Sequence, residues 1–408
     1  MMVTQLFPCV CEPKESAPET ARHIVFGITD SQTCLTLTGR LRALREAGFR
    51  VTLIASPGDL LDSTTAREGV SMIGLSMHRD IAPLADLGVL IQLWWLLRLL
   101  KPDIAEFSTP KAGLLGSLAA RWAGVPARVY MLRGLKFETA KGLKRAILMK
   151  AERAAAACAQ SVLCNSRSVL AEALALRLAS PVKLRMLGDG SSNGVDVERF
   201  SPGPSGVRAW LGIPEGVPVV GFVGRLTRDK GVPELIEAFG TILEAQPRAH
   251  LLLVGWFDAA EDALKSECRA RIVEHPRIHC TGLVTDTAPY YRAMDVMVLP
   301  TWREGFPNVV LEAAATGIPV ITTESTGSRD SVVPEITGLL IPPGYPEAIS
   351  EAVLKLLRDP DRRVRMGEAA RIWVTAHYAD EHVLRLAVSY YRSLIRPQAS
   401  QRPRGGSG

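Results

Sequence analysis

Two glutamates, Glu304 and Glu312, lie at the two ends of a segment that the sequence predicts to be a turn between a strand and a helix. An apolar run precedes the turn, and Gly317 follows the helix at the position where a left-handed residue commonly ends it. The first glutamate then lies in the loop and the second in the helix. The backbone N–H groups at such a helix start favour an anion, so the residues between the two glutamates form a predicted phosphate site.

Glu312 follows Asn308 by about one helical turn. Its carboxylate can therefore point into the pocket that Asn308 and Phe306 line, where it would accept hydrogen bonds from vicinal hydroxyl groups of a sugar or ribose. The simpler alternative is that both glutamates are helix-start charges favoured by the helix dipole. This alternative fits Glu304 better than Glu312, which comes too late in the helix to cap it.

A second loop, 224–231, lies between the first predicted strand and helix of the C-terminal half, where doubly wound folds bind phosphates. Gly224 allows close approach of the backbone, Arg225 can fork across two phosphate oxygens, and Lys230 adds a mobile charge. Alone, such a loop could be only a solvated surface. Since both loops follow strands of one predicted sheet, the two cations could balance a diphosphate leaving group without a metal ion.

The composition is that of a globular protein with a basic balance. Hydrophobic residues make up 47% of the 408 residues and charged residues 22%, and Lys plus Arg exceed Asp plus Glu by 48 to 42, for a net charge of +6. The length favours two domains, and the charge favours nucleotide phosphates, an anionic membrane or nucleic acid as partners. Nucleic acid is the least favoured, because basic and aromatic residues are not interleaved.

The cysteines and the apolar segments favour a cytoplasmic location. The seven cysteines are scattered and mostly within apolar runs, as in a reduced protein, and their spacing predicts no metal site. The N-terminal segment lacks the features of a signal peptide. The most apolar segment, 87–97, is shorter than the roughly 20 residues of a transmembrane helix.

Hydrophobic periodicity predicts two series of alternating strands and helices. Such alternation is typical of an α/β fold with parallel sheets covered on both faces and ligands at the carboxyl ends of the strands. The predicted strands are 22–28, 51–55, 70–75, 104–108, 128–132, 161–164, 183–187, 217–224, 251–254, 278–284, 295–300, 319–323 and 338–341. The predicted helices include 84–100, 112–123, 169–178, 233–244, 261–274 and 287–294, followed by three helices within 346–395. The turn-forming stretch 190–206 predicts an interdomain linker, and the tail 397–408 has the composition of a disordered segment.

Four motifs together resemble the retaining glycosyltransferases of family 4. They are the 224–231 loop, the two glutamates, the Asn193-Gly-Val-Asp196 turn and the segment 338–343. The segments 109–113, 137–139, 190–194 and 303–312 are most similar to the CapM and PglA type, whose members extend capsular, exopolysaccharide or lipid-linked glycans, commonly from UDP-sugars.

The resemblance implies the GT-B fold, in which two Rossmann-like, doubly wound parallel-sheet domains face each other across a cleft. Residues 1–198 would form an N-terminal acceptor-binding domain and residues 199–378 a C-terminal domain that binds the nucleotide-sugar donor. The last helix, 379–396, would cross back to the N-terminal domain.

Residue roles follow from the same resemblance. Arg225 and Lys230 would bind the donor diphosphate, Glu304 the transferred sugar and Glu312 the ribose. The implied donor-binding set is Gly224, Gly255, Leu283, Val284, Phe306, Pro307, Asn308, Val309 and Glu312, with Leu283 and Val284 near the base. The implied acceptor-side set is Thr29, Asp30, Ser31, Lys111, Lys136 and Glu138. Members of the family work without a metal or cofactor.

Two positions depart from the family pattern. Arg133 stands where members of this type usually carry a histidine that helps to hold the donor sugar; it can donate hydrogen bonds but cannot act as a base. We include Arg133 in the predicted catalytic set with Glu304, Arg225 and Lys230. The first loop, 29–32, lacks the usual paired glycines.

A basic helix around 141–153 has two interpretations. Its five cations alternate with apolar residues, and the helix that carries Trp94 and Trp95 lies in the same predicted domain. It could be an ordinary solvated face. Alternatively, it could dock on an anionic membrane at the cytoplasmic face of the inner membrane and present the acceptor site to a lipid-linked glycan.

The sequence therefore predicts a retaining, metal-independent glycosyltransferase. We expect it to transfer a hexose or N-acetylhexosamine from a UDP-linked donor to a hydroxyl of a polyprenyl-linked or growing cell-surface glycan. Two alternatives remain open: a UDP-sugar epimerase of the same architecture, and a non-catalytic protein that binds nucleotide-sugars. Donor turnover without an acceptor would favour the first, and UDP binding without UDP release would favour the second.

Overall fold

The computed structural model describes residues 10–11, 20–78, 82–258 and 262–395. The predicted disordered tail, 397–408, lies outside these residues. Within them, strands and helices alternate along the chain and form two sheets, as the sequence predicts.

The first sheet has the strand order β1-β4-β3-β2-β5-β6-β7-β8. Its strands are parallel where β2 meets β3 and β5, and β1 pairs antiparallel with β4 at the edge. The strands are β1 Val10–Cys11, β2 His23–Gly27, β3 Arg50–Ala55, β4 Ser71–Gly74, β5 Ile104–Ser108, β6 Ala127–Leu132, β7 Ser161–Cys164 and β8 Leu184–Arg185.

The second sheet has the order β11-β10-β9-β12-β13-β14 and is parallel throughout. Its strands are β9 Val219–Val223, β10 His250–Val254, β11 Ile278–Cys280, β12 Val296–Leu299, β13 Val320–Thr323 and β14 Gly338–Ile341. From β9 the chain adds β10 and β11 on one side and then returns to add β12 on the other. The boundary between β9 and β12 is therefore the topological switch point, where open α/β sheets bind ligands.

Helices cover the sheets in the described residues. They are α1 Arg40–Glu46, α2 Asp59–Glu68, α3 Pro83–Leu100, α4 Pro110–Ala123, α5 Gly142–Cys158, α6 Arg167–Ala175, α7 Val207–Trp210, α8 Val232–Ala245, α9 Ser266–Glu274, α10 Ala288–Tyr291, α11 Asn308–Ala315, α12 Pro346–Arg358, α13 Pro360–Tyr378 and α14 Asp380–Leu394. The buried, uninterrupted apolar runs of β9 and β10 are typical of parallel strands covered on both faces.

The chain divides into two compact units. The first contains residues 1–130, 154–161 and 385–408, and the second contains residues 131–153 and 162–384. The second half of α14 thus belongs to the first unit, which confirms the predicted return of the last helix to the N-terminal part of the chain. The predicted boundary between residues 198 and 199 stays a prediction.

A buried polar cluster holds the last helix to the sheet of the first unit. Arg40 and Glu106 are fully buried and lie 3.4 Å apart, and Tyr391 from α14 is hydrogen-bonded to both. The Tyr391 ring also packs edge-on against Phe26, at 5.8 Å between ring centroids. Because burial excludes water from this cluster, the charge of Arg40 is stabilised by Glu106 and Tyr391 and not by solvent.

Three predicted elements differ clearly in extent, and one strand and two helices were not predicted. The helix predicted at 261–274 begins only at Ser266, because Ala263 forms a β-bridge with Thr227 of the 224–231 loop instead of joining the helix. Residue 261 lies outside the described residues. The strand predicted at 278–284 ends at Cys280. The helix predicted at 287–294 is a single turn. The elements that were not predicted are β1, α2 and α7.

Helix α3 is apolar on both faces. Among the described residues it is the one helix that is long and apolar enough to cross a membrane on length and composition alone. It packs against α4 in the first unit, where Leu93, Leu96 and Leu97 are buried. Only 28% of its residues are buried.

Candidate active site

The backbone of three loops fixes Glu304 after strand β12. The Glu304 amide donates to the carbonyl of Thr326 at 3.1 Å. A side chain on Gly305 would bring a Cβ atom within 2.1 Å of the Arg133 carbonyl oxygen, and one on Gly327 would lie 2.2 Å from the Gly305 carbonyl oxygen. Glycine is therefore required where these loops cross, and the position of Glu304 is set by backbone contacts.

Lys230 forms an ion pair with Glu304, and both side chains are largely buried. Gly231 allows this approach, because its φ is +72° and a Cβ atom there would lie 2.0 Å from the Pro300 carbonyl oxygen. The two loops predicted from the sequence to share one edge of the sheet thus meet directly. Each supplies one partner of the ion pair.

Arg225 points to acidic residues in the same region. Its guanidinium lies 2.8 Å from Asp258 and 3.8 Å from Asp229. Asp229 also accepts hydrogen bonds from Thr227 at 2.6 Å and Arg303 at 3.1 Å. Burial would raise the pKa of Asp229, but the surrounding cations, Lys230 first among them, and the Thr227 hydroxyl together hold it below its ordinary value.

Close backbone packing also brings the ends of β9 and β10 together. A Cβ atom on Gly255 would lie 1.8 Å from the Gly224 carbonyl oxygen. The two predicted glycines therefore allow Arg225 to reach Asp258, which follows β10. The acidic partners of Arg225 were not predicted from the sequence, although Asp229 lies within the predicted loop.

Helix α11 begins at Asn308 and ends before Gly317, as predicted; Gly317 has a φ of +80°. Its N-terminus has no side-chain cap. The Asn308 side chain accepts a hydrogen bond from Ser191 at 3.2 Å, and the buried Phe306 packs against Tyr378 at 5.2 Å between ring centroids. The first amides of α11 are thus held in place without a side-chain carboxylate among them, as an anion site requires.

Glu312 lies one turn further along α11 and binds Tyr291. The buried Tyr291 hydroxyl donates to the Glu312 carboxylate at 2.7 Å. Burial raises the pKa of Glu312 to about 7, although Tyr291, Arg199 and Thr287 each act to lower it. Tyr291 lies on a single helical turn whose sequence gives no signal for this contact.

A cavity of about 400 Å³ opens beyond β10 and β11. The residues that line it include the aromatic Trp256 and Phe257 and the glycines Gly255 and Gly282. The neighbouring Leu283 is exposed, whereas Val284 packs against the core of the second unit. Of the two predicted base-binding residues, Leu283 is thus the more exposed.

Three further predicted residues lie in the second unit. Arg133 donates to the Ser192 hydroxyl at 3.0 Å. Lys136 and Glu138 share a 3₁₀ turn, and Glu138 accepts a hydrogen bond from Thr326 at 2.8 Å. Burial raises the pKa of Glu138, with the Thr326 hydroxyl opposing the shift. Arg133 and Glu138 therefore flank the loops that fix Glu304.

The remaining predicted acceptor-side residues lie in the first unit. Thr29 is buried and bonded to the Thr109 hydroxyl at 2.6 Å, and Asp30 caps the 3₁₀ helix that begins at Ser31. Lys111 forms an ion pair with Asp86 at 2.6 Å. The structure thus gives Thr29, Asp30 and Lys111 local structural contacts, and their role toward an acceptor stays a prediction.

Replacing Gly305 with alanine should lower catalytic efficiency by roughly tenfold or more, because a shift of about 1 Å in a catalytic group can have that effect. The new methyl group cannot fit 2.1 Å from the Arg133 carbonyl oxygen, so the loop that carries Glu304 must move. Initial rates of the sugar transfer that the sequence predicts measure the effect. The matched control is Gly240→Ala in α8, where nothing lies within 4 Å of the added atom. Equal rates for both variants would contradict the proposed packing.

Comparisons with known proteins decide the family. The model described as "Glycosyl transferase 4-like domain" matches residues 37–190, and the model described as "Glycosyl transferases group 1" matches residues 217–359. The capsular polysaccharide biosynthesis glycosyltransferase CapM of Staphylococcus aureus is 33% identical over 373 residues, which cover 90% of this chain and 96% of that protein. The chain belongs to the family 4 glycosyltransferases.

A second curated relative of this glycosyltransferase comes from Escherichia coli. It is named UDP-Gal:alpha-D-GlcNAc-diphosphoundecaprenol alpha-1,3-galactosyltransferase and is 30% identical over 290 residues, covering 70% of this chain and 74% of that protein. Both relatives match the CapM and PglA type that the sequence motifs predicted.

Solved structures confirm the GT-B fold of the glycosyltransferase. Sucrose-phosphate synthase from Thermosynechococcus elongatus superposes with a TM-score of 0.76 at 23% identity, covering 91% of this chain and 99% of that chain. WaaG, a glycosyltransferase involved in lipopolysaccharide biosynthesis, superposes with a TM-score of 0.69 at 17% identity, covering 90% and 99%. At these identities the likeness concerns the fold alone.

Proposed function

We propose that this glycosyltransferase moves a hexose or N-acetylhexosamine from a UDP-linked donor to a hydroxyl of a polyprenyl-linked or growing cell-surface glycan, with retention of configuration and without a metal. One observation carries the proposal. Arg225 and Lys230 lie on the loop after β9, beside the loop that leads from β12 to the uncapped start of α11. Two cations and a helix N-terminus at a switch point form a site suited to a diphosphate.

Two relatives support the proposed donor and acceptor. The Staphylococcus aureus protein acts in capsular polysaccharide biosynthesis, and the Escherichia coli protein uses UDP-Gal and a diphosphoundecaprenol-linked sugar. Each is similar to this chain over most of its own length.

In the proposed mechanism, the donor diphosphate exchanges partners with the acidic residues of the site. Lys230 and Arg225 now face Glu304 and Asp258. When the diphosphate binds, Lys230 and Arg225 donate hydrogen bonds to its oxygens in place of some of those to Glu304 and Asp258. Glu304 then becomes available to accept hydrogen bonds from the sugar hydroxyls. The cations then stabilise the charge that develops on the leaving diphosphate.

Transfer with retention follows if the acceptor attacks the face from which the diphosphate departs. The bond from C1 of the sugar to the diphosphate breaks, the bond from C1 to the acceptor oxygen forms, and the acceptor proton passes to a diphosphate oxygen. This route needs no protein base, which is consistent with Arg133 at a position where it can only donate hydrogen bonds.

Glu312 should make donor binding pH-dependent. If its carboxylate accepts hydrogen bonds from the ribose hydroxyls, the ionised form binds the donor more tightly. Because the pKa of Glu312 is about 7, the donor KM should fall as the pH rises from 6 to 8. KM measured across this range tests the prediction.

The matched control is Glu312→Gln, which should bind more weakly and lose the pH dependence. Tyr291→Phe removes a hydrogen bond that lowers the pKa of Glu312 and should shift the midpoint to higher pH. If the pH dependence of the donor KM has the same midpoint in the wild type, Glu312→Gln and Tyr291→Phe, Glu312 is not the group that titrates.

The acceptor suggests how the protein meets the membrane. A polyprenyl-linked glycan is anchored at the cytoplasmic face, and the first turns of helix α5 present exposed cations together with exposed Leu143 and Ile147. We propose that α5 contributes a peripheral contact with anionic lipid. If charge reversal at Lys144 and Arg145 leaves vesicle binding unchanged, this contact is excluded.

A thermal-shift panel of UDP-, GDP- and ADP-sugars tests the donor, since a specific ligand raises the apparent stability. We expect UDP-sugars to give the largest shift. Incubating the same donor without an acceptor then separates the alternatives: a transferase leaves the sugar unchanged apart from slow hydrolysis, whereas an epimerase interconverts it. UDP binding with no UDP release in the presence of lipid-linked acceptors would instead indicate a binding protein.

A further inference from the structure

Helix α3 presents an apolar face to solvent. Its exposed residues include Leu84, Leu87, Ile91 and Trp95, with exposed fractions of 88%, 55%, 54% and 36%. At 100° per residue these four positions fall on one side of the helix, opposite the side that contains Leu93. The buried side packs in the core of the first unit, and the exposed side is apolar from Leu84 to Trp95.

This arrangement is unusual for a surface helix. A helix that is apolar all round is normally buried in a core or in a membrane. Helix α3 is not a buried core helix, because only 28% of its residues are buried. Scattered exposed apolar residues need no explanation, but a continuous row along three turns indicates a contact surface.

The charges around this face match an anionic surface. Arg98 lies on the exposed side at the end of α3 and Lys101 follows it, and the neighbouring α4 ends with exposed Arg121 and Trp122. The two helices pack against each other in the first unit. The one acidic residue of α3, Asp86, is paired with Lys111.

We propose that the exposed face of α3 lies in the interfacial layer of an anionic lipid bilayer, parallel to its plane. Leu84, Leu87 and Ile91 insert among the acyl chains, while Trp95 lies at headgroup depth. Arg98 and Lys101 meet the lipid phosphates. This surface adds to the proposed function by placing the first unit on the membrane that would hold a lipid-linked acceptor, and it is independent of the basic helix α5.

Flotation of the whole protein with vesicles tests the proposal. On phosphatidylcholine vesicles containing phosphatidylglycerol, the variant with both Leu87→Ser and Ile91→Ser should bind at least roughly tenfold more weakly than the wild type. Arg98→Glu with Arg121→Glu should weaken binding to these vesicles but not to pure phosphatidylcholine. The matched control, Val364→Ser with Ile372→Ser, removes two apolar side chains of α13 that are 55% and 71% exposed, and should bind like the wild type.

Equal binding of the α3 variant and the α13 control would overturn the proposal. So would a wild type that is dimeric by light scattering and becomes monomeric on Leu87→Ser with Ile91→Ser, since the face would then join two copies of the chain. A UDP-sugar thermal shift measured on the same variant shows that it is folded. If that shift is missing in the wild type as well, the proposed function fails while the lipid result still stands.

Discussion

Lys230→Ala and Glu304→Gln should each reduce sugar transfer by roughly 10²–10³-fold, the range found when one group that stabilises a developing charge is removed. Lys230 is expected to neutralise the leaving diphosphate, and Glu304 to hold the transferred sugar. Because the two side chains form an ion pair, each substitution also leaves its partner without a counter-charge. Release of UDP in the presence of a membrane extract of lipid-linked acceptors measures the rate.

A matched control separates these effects from a general loss of charge. Lys355 of α12 forms an exposed ion pair with Glu335. Lys355→Ala should therefore transfer sugar at the wild-type rate. Circular dichroism should show unchanged secondary structure for all three variants. Near-normal transfer by both Lys230→Ala and Glu304→Gln would refute the assignment of the donor site.

Glu106→Leu should destabilise the first unit by about 3–5 kcal/mol, because it leaves the fully buried Arg40 without its carboxylate. Tyr391 loses the acceptor of its hydrogen bond at the same time. In calorimetric unfolding, the first transition should occur at a lower temperature than in the wild type. Donor binding should be unaffected at temperatures where the protein is folded.

The double variant Arg40→Met with Glu106→Leu tests the cause. If the uncompensated charge is responsible, replacing both partners should recover most of the lost stability. Glu46→Gln, which removes the partner of Arg45 from an exposed pair, should cost less than about 1 kcal/mol. A double variant as unstable as Glu106→Leu alone would show that packing around Tyr391, and not the ion pair, stabilises this cluster.

The sequence predicts the fold well where one signal determines the local structure. Buried parallel strands such as β9 and β10 are continuous apolar runs, and Gly317 ends α11 with a left-handed residue where the sequence predicts it. Errors occur where tertiary pairing overrides the local pattern. The residues just before Ser266 have a helical pattern, but Ala263 forms a β-bridge with Thr227 instead.

The candidate site is predictable only in part, for a similar reason. The two loops could be expected to meet because both follow strands of one sheet, and the Lys230–Glu304 ion pair confirms this. The contacts of Tyr291 with Glu312 and of Asp258 with Arg225 join residues that are distant in sequence and have no motif in common. Such contacts depend on how helices and loops pack, which hydrophobic periodicity does not specify.

Calorimetric titration of UDP into the wild type and Lys230→Ala, with Lys355→Ala as the control, tests directly whether Lys230 belongs to a nucleotide-binding site. If the loops after β9 and β12 bind a nucleotide diphosphate, UDP should bind the wild type and the control alike, and Lys230→Ala at least roughly tenfold more weakly, in line with the loss of one charged hydrogen bond. Equal affinity for all three proteins, or no binding of UDP, GDP or ADP by the wild type, would show that these loops do not form the donor site.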